Sequence, residues 1–285
     1  MSRAAPRMVI FTDLDGTLLD RHTYAFDEAL PALRRCLSAH VPVVFCSSKT
    51  RAEIEELRRI LGSADPFISE NGGAVFIPRE HFPFPIECHA IDGSYSVIEL
   101  GGGYAKLSSA LDDLSRDLRV RVRGFHGMTA EEIARETGLP LGTARLAAAR
   151  EYDEPFTFVN ASQAESRRFL RAAEARGLRW THGGRFHHLL GHAGKQPAVT
   201  ILADLYRRWD PAIRTAGLGD SANDVPLLAA VDIPILAMKP GAGYDPAVVE
   251  KLPAVRRSPL PGPRGWNASV QALLDEHVCG LTMAG

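Results

Sequence analysis

The chain reads as an α/β protein: a Rossmann-like parallel sheet core with a smaller α/β cap domain inserted into it. Three observations predict this. Short apolar runs alternate with helix-length amphipathic segments over the first third, the alternation breaks near Pro83, and it resumes after residue 190. Strands separated by helices of this length pair in parallel, because a parallel connection needs a crossover of a dozen residues or more.

The elements follow in order. Met8–Thr12 is a short apolar run, residues 27–40 have helical spacing, and residues 41–46 are apolar again. Arg51–Leu61 is a charged amphipathic helix, with Ser48 and Thr50 as equal candidates for its cap. Phe67–Ser69 and residues 74–77 are further apolar runs, separated by the turn residues Asn71-Gly72-Gly73. Beyond Pro83 and Pro85 come the run Gly101-Gly102-Gly103 and helical segments over Tyr104–Leu118, 129–136 and 162–176. Apolar or alternating runs at 119–123, 156–159 and 178–181 lie between them, and 124–149 reads as a helical stretch. After Gly191 the sequence predicts a helix over 196–208, a strand over 214–218, a helix from about Asp224, a strand over 233–237 and a last helix over 267–277. Pro259-Leu260-Pro261-Gly262-Pro263 reads as an ordered loop before that helix. The predicted division is 1–83 plus 190–285 for the core and 84–189 for the cap.

Bulk composition narrows the function. A chain of 285 residues with 45% hydrophobic content can fill a sizeable core. A net charge of -1, from 33 basic and 34 acidic residues, gives no electrostatic reason to expect nucleic acid or an anionic membrane, so the expected partner is a small molecule. Cys36, Cys46, Cys88 and Cys279 are far apart with no CxxC pair, which fits a reducing cytoplasm. Met1 to Arg7 carry two arginines, but the apolar run after them is too brief for a signal peptide or a membrane span.

The strongest local feature is Phe11-Thr12-Asp13-Leu14-Asp15-Gly16-Thr17-Leu18, two carboxylates two apart at the end of an apolar run. Ligands of open parallel sheets bind outside the strand C-termini, so both acids stand where a substrate does. A turn beginning at Asp15 aims its side chain away from that of Asp13 and exposes its carbonyl. One carboxylate can then serve as nucleophile and metal ligand, the other as proton donor. A second acidic string, Gly217-Leu218-Gly219-Asp220-Ser221-Ala222-Asn223-Asp224, also ends an apolar run; a helix starting there would place Asp220 and Asp224 on one face.

These strings resemble the first and fourth motifs of the haloacid dehalogenase superfamily of phosphatases. The resemblance makes Asp13 the nucleophile, Asp15 the acid and base, Ser47 after Val43-Val44-Phe45-Cys46 a donor to a phosphoryl oxygen, and Lys195 in Gly191-His192-Ala193-Gly194-Lys195 the residue that offsets the charge of Asp13 and the phosphoryl group. It implies a Mg²⁺ ion on Asp13, Asp220 and the carbonyl of Asp15, hard oxygen ligands that suit this metal, with Asn223 and Asp224 orienting those ligands or their waters. The insert is similar to the large α/β cap of that superfamily, which implies a phosphorylated metabolite as substrate.

Further strings resemble mannosyl-3-phosphoglycerate phosphatases: Ser47-Ser48-Lys49-Thr50-Arg51-Ala52-Glu53, Ser69-Glu70-Asn71-Gly72-Gly73-Ala74, Arg150-Glu151-Tyr152-Asp153-Glu154-Pro155-Phe156, Gly183-Gly184-Arg185-Phe186 and Gly262-Pro263-Arg264-Gly265-Trp266-Asn267. For a substrate with sugar, carboxylate and phosphate, Arg150 and Arg185 are expected on the carboxylate, Ser48 and Lys49 near the nucleophile, and Glu70 and Asn71 on sugar hydroxyls. Other sugar phosphates, glucosyl-3-phosphoglycerate, a sugar-phosphate mutase and a retired, merely binding core are the rival readings. His182, His187, His188 and His192 are expected in substrate contact or packing rather than on zinc, having neither a nearby cysteine nor a HExxH context.

Overall fold

The computed structural model describes residues 5–192 and 194–279. Met1 to Ala4, Ala193, Gly280 to Gly285 and the side chains of Val278 and Cys279 lie outside the described set. In chain order the strands are β1 Met8–Thr12, β2 Val43–Cys46, β3 Phe67–Ser69, β4 Ala74–Pro78, β5 Ala90–Asp92, β6 Tyr95–Glu99, β7 Val122–Gly124, β8 Asp153–Phe158, β9 Arg179–Gly183, β10 Phe186–Leu190, β11 Arg214–Gly219, β12 Ile233–Met238 and β13 Arg256–Pro261. The helices are α1 Leu30–Ser38, α2 Arg51–Leu61, α3 Tyr104–Leu118, α4 Ala130–Thr137, α5 Leu141–Ala147, α6 Gln163–Ala175, α7 Lys195–Trp209, α8 Val225–Leu228, α9 Pro246–Lys251 and α10 Gly262–Leu274.

A nine-stranded sheet runs in the order β13-β12-β11-β1-β2-β3-β4-β6-β5. From β13 to β3 every pairing is parallel; β4, β6 and β5 add an antiparallel edge. Alternate residues of β1 point to opposite faces. Met8 and Ile10 join the apolar cluster that includes Ala32 of α1 and Trp266 of α10, while Val9 and Phe11 join the one that includes Val199 and Leu202 of α7. Both faces are therefore covered, as a parallel sheet requires.

The second sheet, β7-β8-β10-β9, is antiparallel and packs α3 and α6 through Leu111, Phe156, Phe169 and Leu189. Its first strand begins at Val122, whereas β5 and β6 still pair into the large sheet. The large sheet thus continues to Glu99, and the predicted boundary at 83/84 is corrected: sheet membership changes after Glu99, through the glycine run at 101–103.

Two further readings are corrected. The proline-rich 259–263 stretch is not a loop: Pro259 and Pro261 lie in edge strand β13, where a missing N–H costs no ladder bond, and Pro263 opens α10, where proline is favoured. The last helix therefore starts five residues earlier than predicted. Among the described residues no helix is long and apolar enough to cross a membrane.

Candidate active site

β1 and β11 end side by side, Thr12 opposite Leu218, and Asp13 donates its backbone N–H to Leu218 O at 2.9 Å. Chain order reverses at this pair of strands, the place where open α/β sheets leave a crevice for ligand. The side chain of Asp13 is almost buried, and its Oδ1 accepts a hydrogen bond from Lys195 Nζ at 2.8 Å. Lys195, the first residue of α7, donates as well to Asp224 Oδ1 at 2.6 Å. Burial and the neighbouring Asp224 push the Asp13 carboxyl up to about 8, against the pull of Lys195 and with a further push from Asp220. Burial disfavours the Lys195 ammonium, but Asp13 and Asp224 outweigh it and hold that group well above the usual lysine range.

Asp220 follows β11, and Asp224 closes a short 3-10 turn ahead of α8. The predicted shared helix face is corrected: a tight turn brings the two acids together. Asp224 Oδ2 accepts the N–H groups of Asp220 at 3.0 Å and Ser221 at 3.1 Å, together with the Ser221 hydroxyl at 3.1 Å. The fold allows this because residue 219 is glycine: a Cβ there would lie 2.4 Å from that of Asp224. Asp13, Asp220 and Asp224 each offer an oxygen, all within 4.8 Å of one another. Both oxygens of Asp224 are already engaged, which leaves Asp13 and Asp220 with spare acceptor capacity. Burial and Asp224 also raise the Asp220 carboxyl, although Arg21 Nη2 donates to Asp220 Oδ2 at 2.8 Å. Three acids clustered around one lysine and one arginine outnumber their cations, and hard oxygen donors of this kind fit a small divalent cation.

Asp15 turns away from Asp13 into an ion pair with Lys49, Oδ2 to Nζ at 3.1 Å, while its Oδ1 is buried and has no hydrogen-bond partner among the described residues. Burial would lower the Lys49 ammonium, but Asp15 and Glu53 raise it overall, so it stays charged. Ser47 follows β2 and is buried, its Oγ accepting the Lys49 N–H at 3.2 Å.

A cavity of about 430 Å³ lies between the two sheets' domains, with Asp13, Asp15, Ser48, Lys49, Asp220 and Asn223 on one wall and Phe125, Arg150, Arg185 and His188 on the other. The predicted site residues of both sections therefore meet, with Lys195 and Ser47 buried against them. Arg150 is nearly enclosed and donates to Ser48 O at 2.8 Å; Arg185, in the β9–β10 turn, is 70% exposed.

Two expectations change, and the histidines stand in packing and on the cavity wall. Glu70 and Asn71 do not line the cavity: Glu70 is fully buried and accepts the N–H groups of Glu151 and Tyr152, and Asn71 Nδ2 donates to Asp153 at 2.7 Å. Asn223 faces the insert rather than the acids, accepting from the Thr181 hydroxyl at 2.6 Å and donating to Asn71 Oδ1 at 3.2 Å. Of the histidines, His187 packs among Phe156, Phe158 and Trp180, whereas His188 Nδ1 sits 2.9 Å from both oxygens of buried Asp153. That carboxylate can only accept, so Nδ1 carries the proton.

Arg21, Asp153 and Trp266 were missed as site residues. Trp266 Nε1 donates to Thr12 Oγ1 at 3.0 Å, and Thr12 Oγ1 donates to Asp13 O at 2.7 Å, a buried chain from α10 to the end of β1. The Gly262 to Asn267 string carried the only sequence signal for it.

A doubly covered parallel sheet with an α/β insert, an acid on each of two adjacent strand ends and a lysine bridging them define a hydrolase of the haloacid dehalogenase type. The family described as haloacid dehalogenase-like hydrolase matches residues 10–90. A glucosyl-3-phosphoglycerate/mannosyl-3-phosphoglycerate phosphatase of Methanococcoides burtonii is 42% identical over 270 residues, 94% of this chain and 98% of the relative. A mannosyl-3-phosphoglycerate phosphatase of Pyrococcus furiosus is 36% identical over 80% of this chain and 90% of its own. A phosphatase of the same superfamily from Bacteroides thetaiotaomicron shares the fold, with a TM-score of 0.63 at 18% identity over 95% of this chain and 94% of that one. The chain belongs to the glucosyl-3-phosphoglycerate/mannosyl-3-phosphoglycerate phosphatase family of haloacid dehalogenase-like hydrolases.

Proposed function

We propose that this protein is a magnesium-dependent phosphatase that hydrolyses the phosphate monoester of mannosyl-3-phosphoglycerate or its glucosyl counterpart, giving the glycosylglycerate and phosphate, with Asp13 as nucleophile. The observation that carries the reading is the Lys195 bridge between Asp13 and Asp224, beside Asp220 and at the switch of strand order.

Asp13, Asp220 and the backbone carbonyl of Asp15 would hold the Mg²⁺, which when bound supplies positive charge to the transferring phosphoryl oxygens. Asp13 Oδ attacks phosphorus in line; a P–O bond forms to Asp13 and the bond to the glycerate oxygen breaks. Asp15 gives that oxygen its proton, then takes one from the water that attacks the aspartyl-phosphate, which releases phosphate and frees Asp13. Its unpartnered Oδ1 supports this role. Lys195, Ser47 and Lys49 offset the charge on the phosphoryl oxygens. Asp224, saturated by Lys195 and by backbone donors, holds Lys195 in place and leaves the metal to Asp13 and Asp220.

In this reading the residues of the nine-stranded sheet and its helices do the chemistry, and the insert between about Leu100 and Gly191 selects the substrate. Arg150 and Arg185 meet its carboxylate, and Ser48 lies on the cavity wall beside the phosphate site. Free thiols at Cys36, Cys46 and Cys88 agree with a cytoplasmic setting.

A steady-state panel with Mg²⁺ tests this reading, comparing kcat/KM for mannosyl- and glucosyl-3-phosphoglycerate with that for simple hexose phosphates. The glycosyl-phosphoglycerates should lead by about a hundredfold or more, the scale of a site whose buried donors meet their partners. Flat values across the panel would refute the substrate assignment.

A further inference from the structure

The short turn Glu70–Gly72 holds three successive residues in the left-handed region, with φ of 48°, 57° and 91°, two of them not glycine. Such a backbone persists only where its surroundings over-determine it. On the core side, Glu70 N–H donates to Lys49 O at 3.0 Å and Asn71 N–H to Ser47 O at 2.9 Å. Gly72 presses on the approach to Lys195, where an added Cβ would fall 2.2 Å from Gly194 O. Gly73 O accepts the N–H groups of Leu100 at 2.9 Å and Gly101 at 2.8 Å, where the chain leaves for the insert.

On the other side, the Glu70 carboxylate accepts Glu151 N–H at 3.0 Å and Tyr152 N–H at 2.9 Å, the two amides that follow Arg150. Asn71 Nδ2 donates to Asp153 Oδ2, the carboxylate that fixes His188. One turn thus touches the strand end of Ser47, the start of α7 and the insert residues that adjoin Arg150 and bind His188.

We infer that Glu70 and Asn71 are positioning residues, which hold Arg150 and His188 of the insert against the cavity that contains Asp13 and Asp15. Neither touches substrate; both act through the side chains they place. The inference rests on the substrate reading above for its kinetic test, and a substrate-independent measurement accompanies it.

The variants are Glu70→Gln and Asn71→Gly, the second chosen because glycine keeps the left-handed turn if the first fails to fold. Each should raise KM for mannosyl- or glucosyl-3-phosphoglycerate about tenfold, while kcat/KM for 4-nitrophenyl phosphate, which offers Arg150 and His188 neither carboxylate nor sugar, stays within about twofold. In Glu70→Gln the amides of Glu151 and Tyr152 should exchange with deuterium about tenfold faster than in the unaltered chain. Equal losses on both esters, or unchanged exchange at those amides, would overturn the inference. Failure of the unaltered enzyme on the glycosyl esters would sink the substrate reading alone, with exchange still deciding the role of Glu70.

Discussion

Asp13 and Asp224 are both nearly buried, and Lys195 Nζ lies 2.8 Å from one and 2.6 Å from the other. Burial disfavours each charge alone, and with Asp13 pushed up to about 8 by burial and by Asp224, Lys195 is the cation that reaches both acids. Replacing Lys195 by methionine keeps the length of the side chain and removes the counter-charge. Urea denaturation at neutral pH without magnesium should show a loss of about 3–5 kcal/mol, the cost of stripping one partner from a buried pair. A loss under about 1 kcal/mol would mean that Lys195 is not what balances the two acids. At this scale much of the site was legible. Asp13, Asp15, Asp220 and Lys195 sit next to apolar runs or a helix start, where position alone suggests chemistry. Glu70 and Asn71 looked like ligand residues because an acid and an amide beside glycines read the same whether they meet a sugar or a backbone amide. Arg21 carried no sequence signal, since its partner Asp220 is 199 residues away.

The helices with strong periodicity and good caps were readable at the level of elements. Thr50 and Glu53 form a capping box at the start of α2, and Gly62 ends that helix in the left-handed region. The missed elements lack such signals. β5 is three exposed residues at a sheet edge, and β13 carries two prolines that only an edge strand tolerates. β10 was hidden by its histidines. One of them makes a pH-dependent prediction: burial and the neighbouring His182 and His188 lower the His187 imidazole to about 4, below its unfolded value near 6.5. Between those values the unfolded chain binds more protons, so this stabilising contribution is present above about pH 6.5 and is lost as pH falls toward 4. Replacing His187 by phenylalanine should therefore shrink the drop in Tm between pH 7 and pH 5 by about 2 °C. An unchanged drop in calorimetry would show that the imidazole is not held neutral by its setting.

For the molecule as a whole, the alternating texture of the outer thirds foretold a parallel sheet covered on both faces, because βαβ units leave a plain period in the sequence. Where the sheet ends was not legible: β4, β6 and β5 extend it antiparallel through Glu99, by hydrogen bonds that periodicity does not encode. The same long-range closure assembles the site, bringing together the ends of β1, β2 and β11, the start of α7 and the wall of the insert. That convergence has one chemical purpose in the proposed function, to make Asp13 a nucleophile toward phosphorus. The direct measurement is kcat of Asp13→Asn on mannosyl- or glucosyl-3-phosphoglycerate with magnesium, with circular dichroism verifying the fold. The expected result is a loss of roughly 10⁴-fold or more in a chain that remains folded, the scale on which a covalent nucleophile is missed. A folded Asp13→Asn enzyme that keeps kcat within about tenfold of the original would contradict the aspartyl-phosphate chemistry.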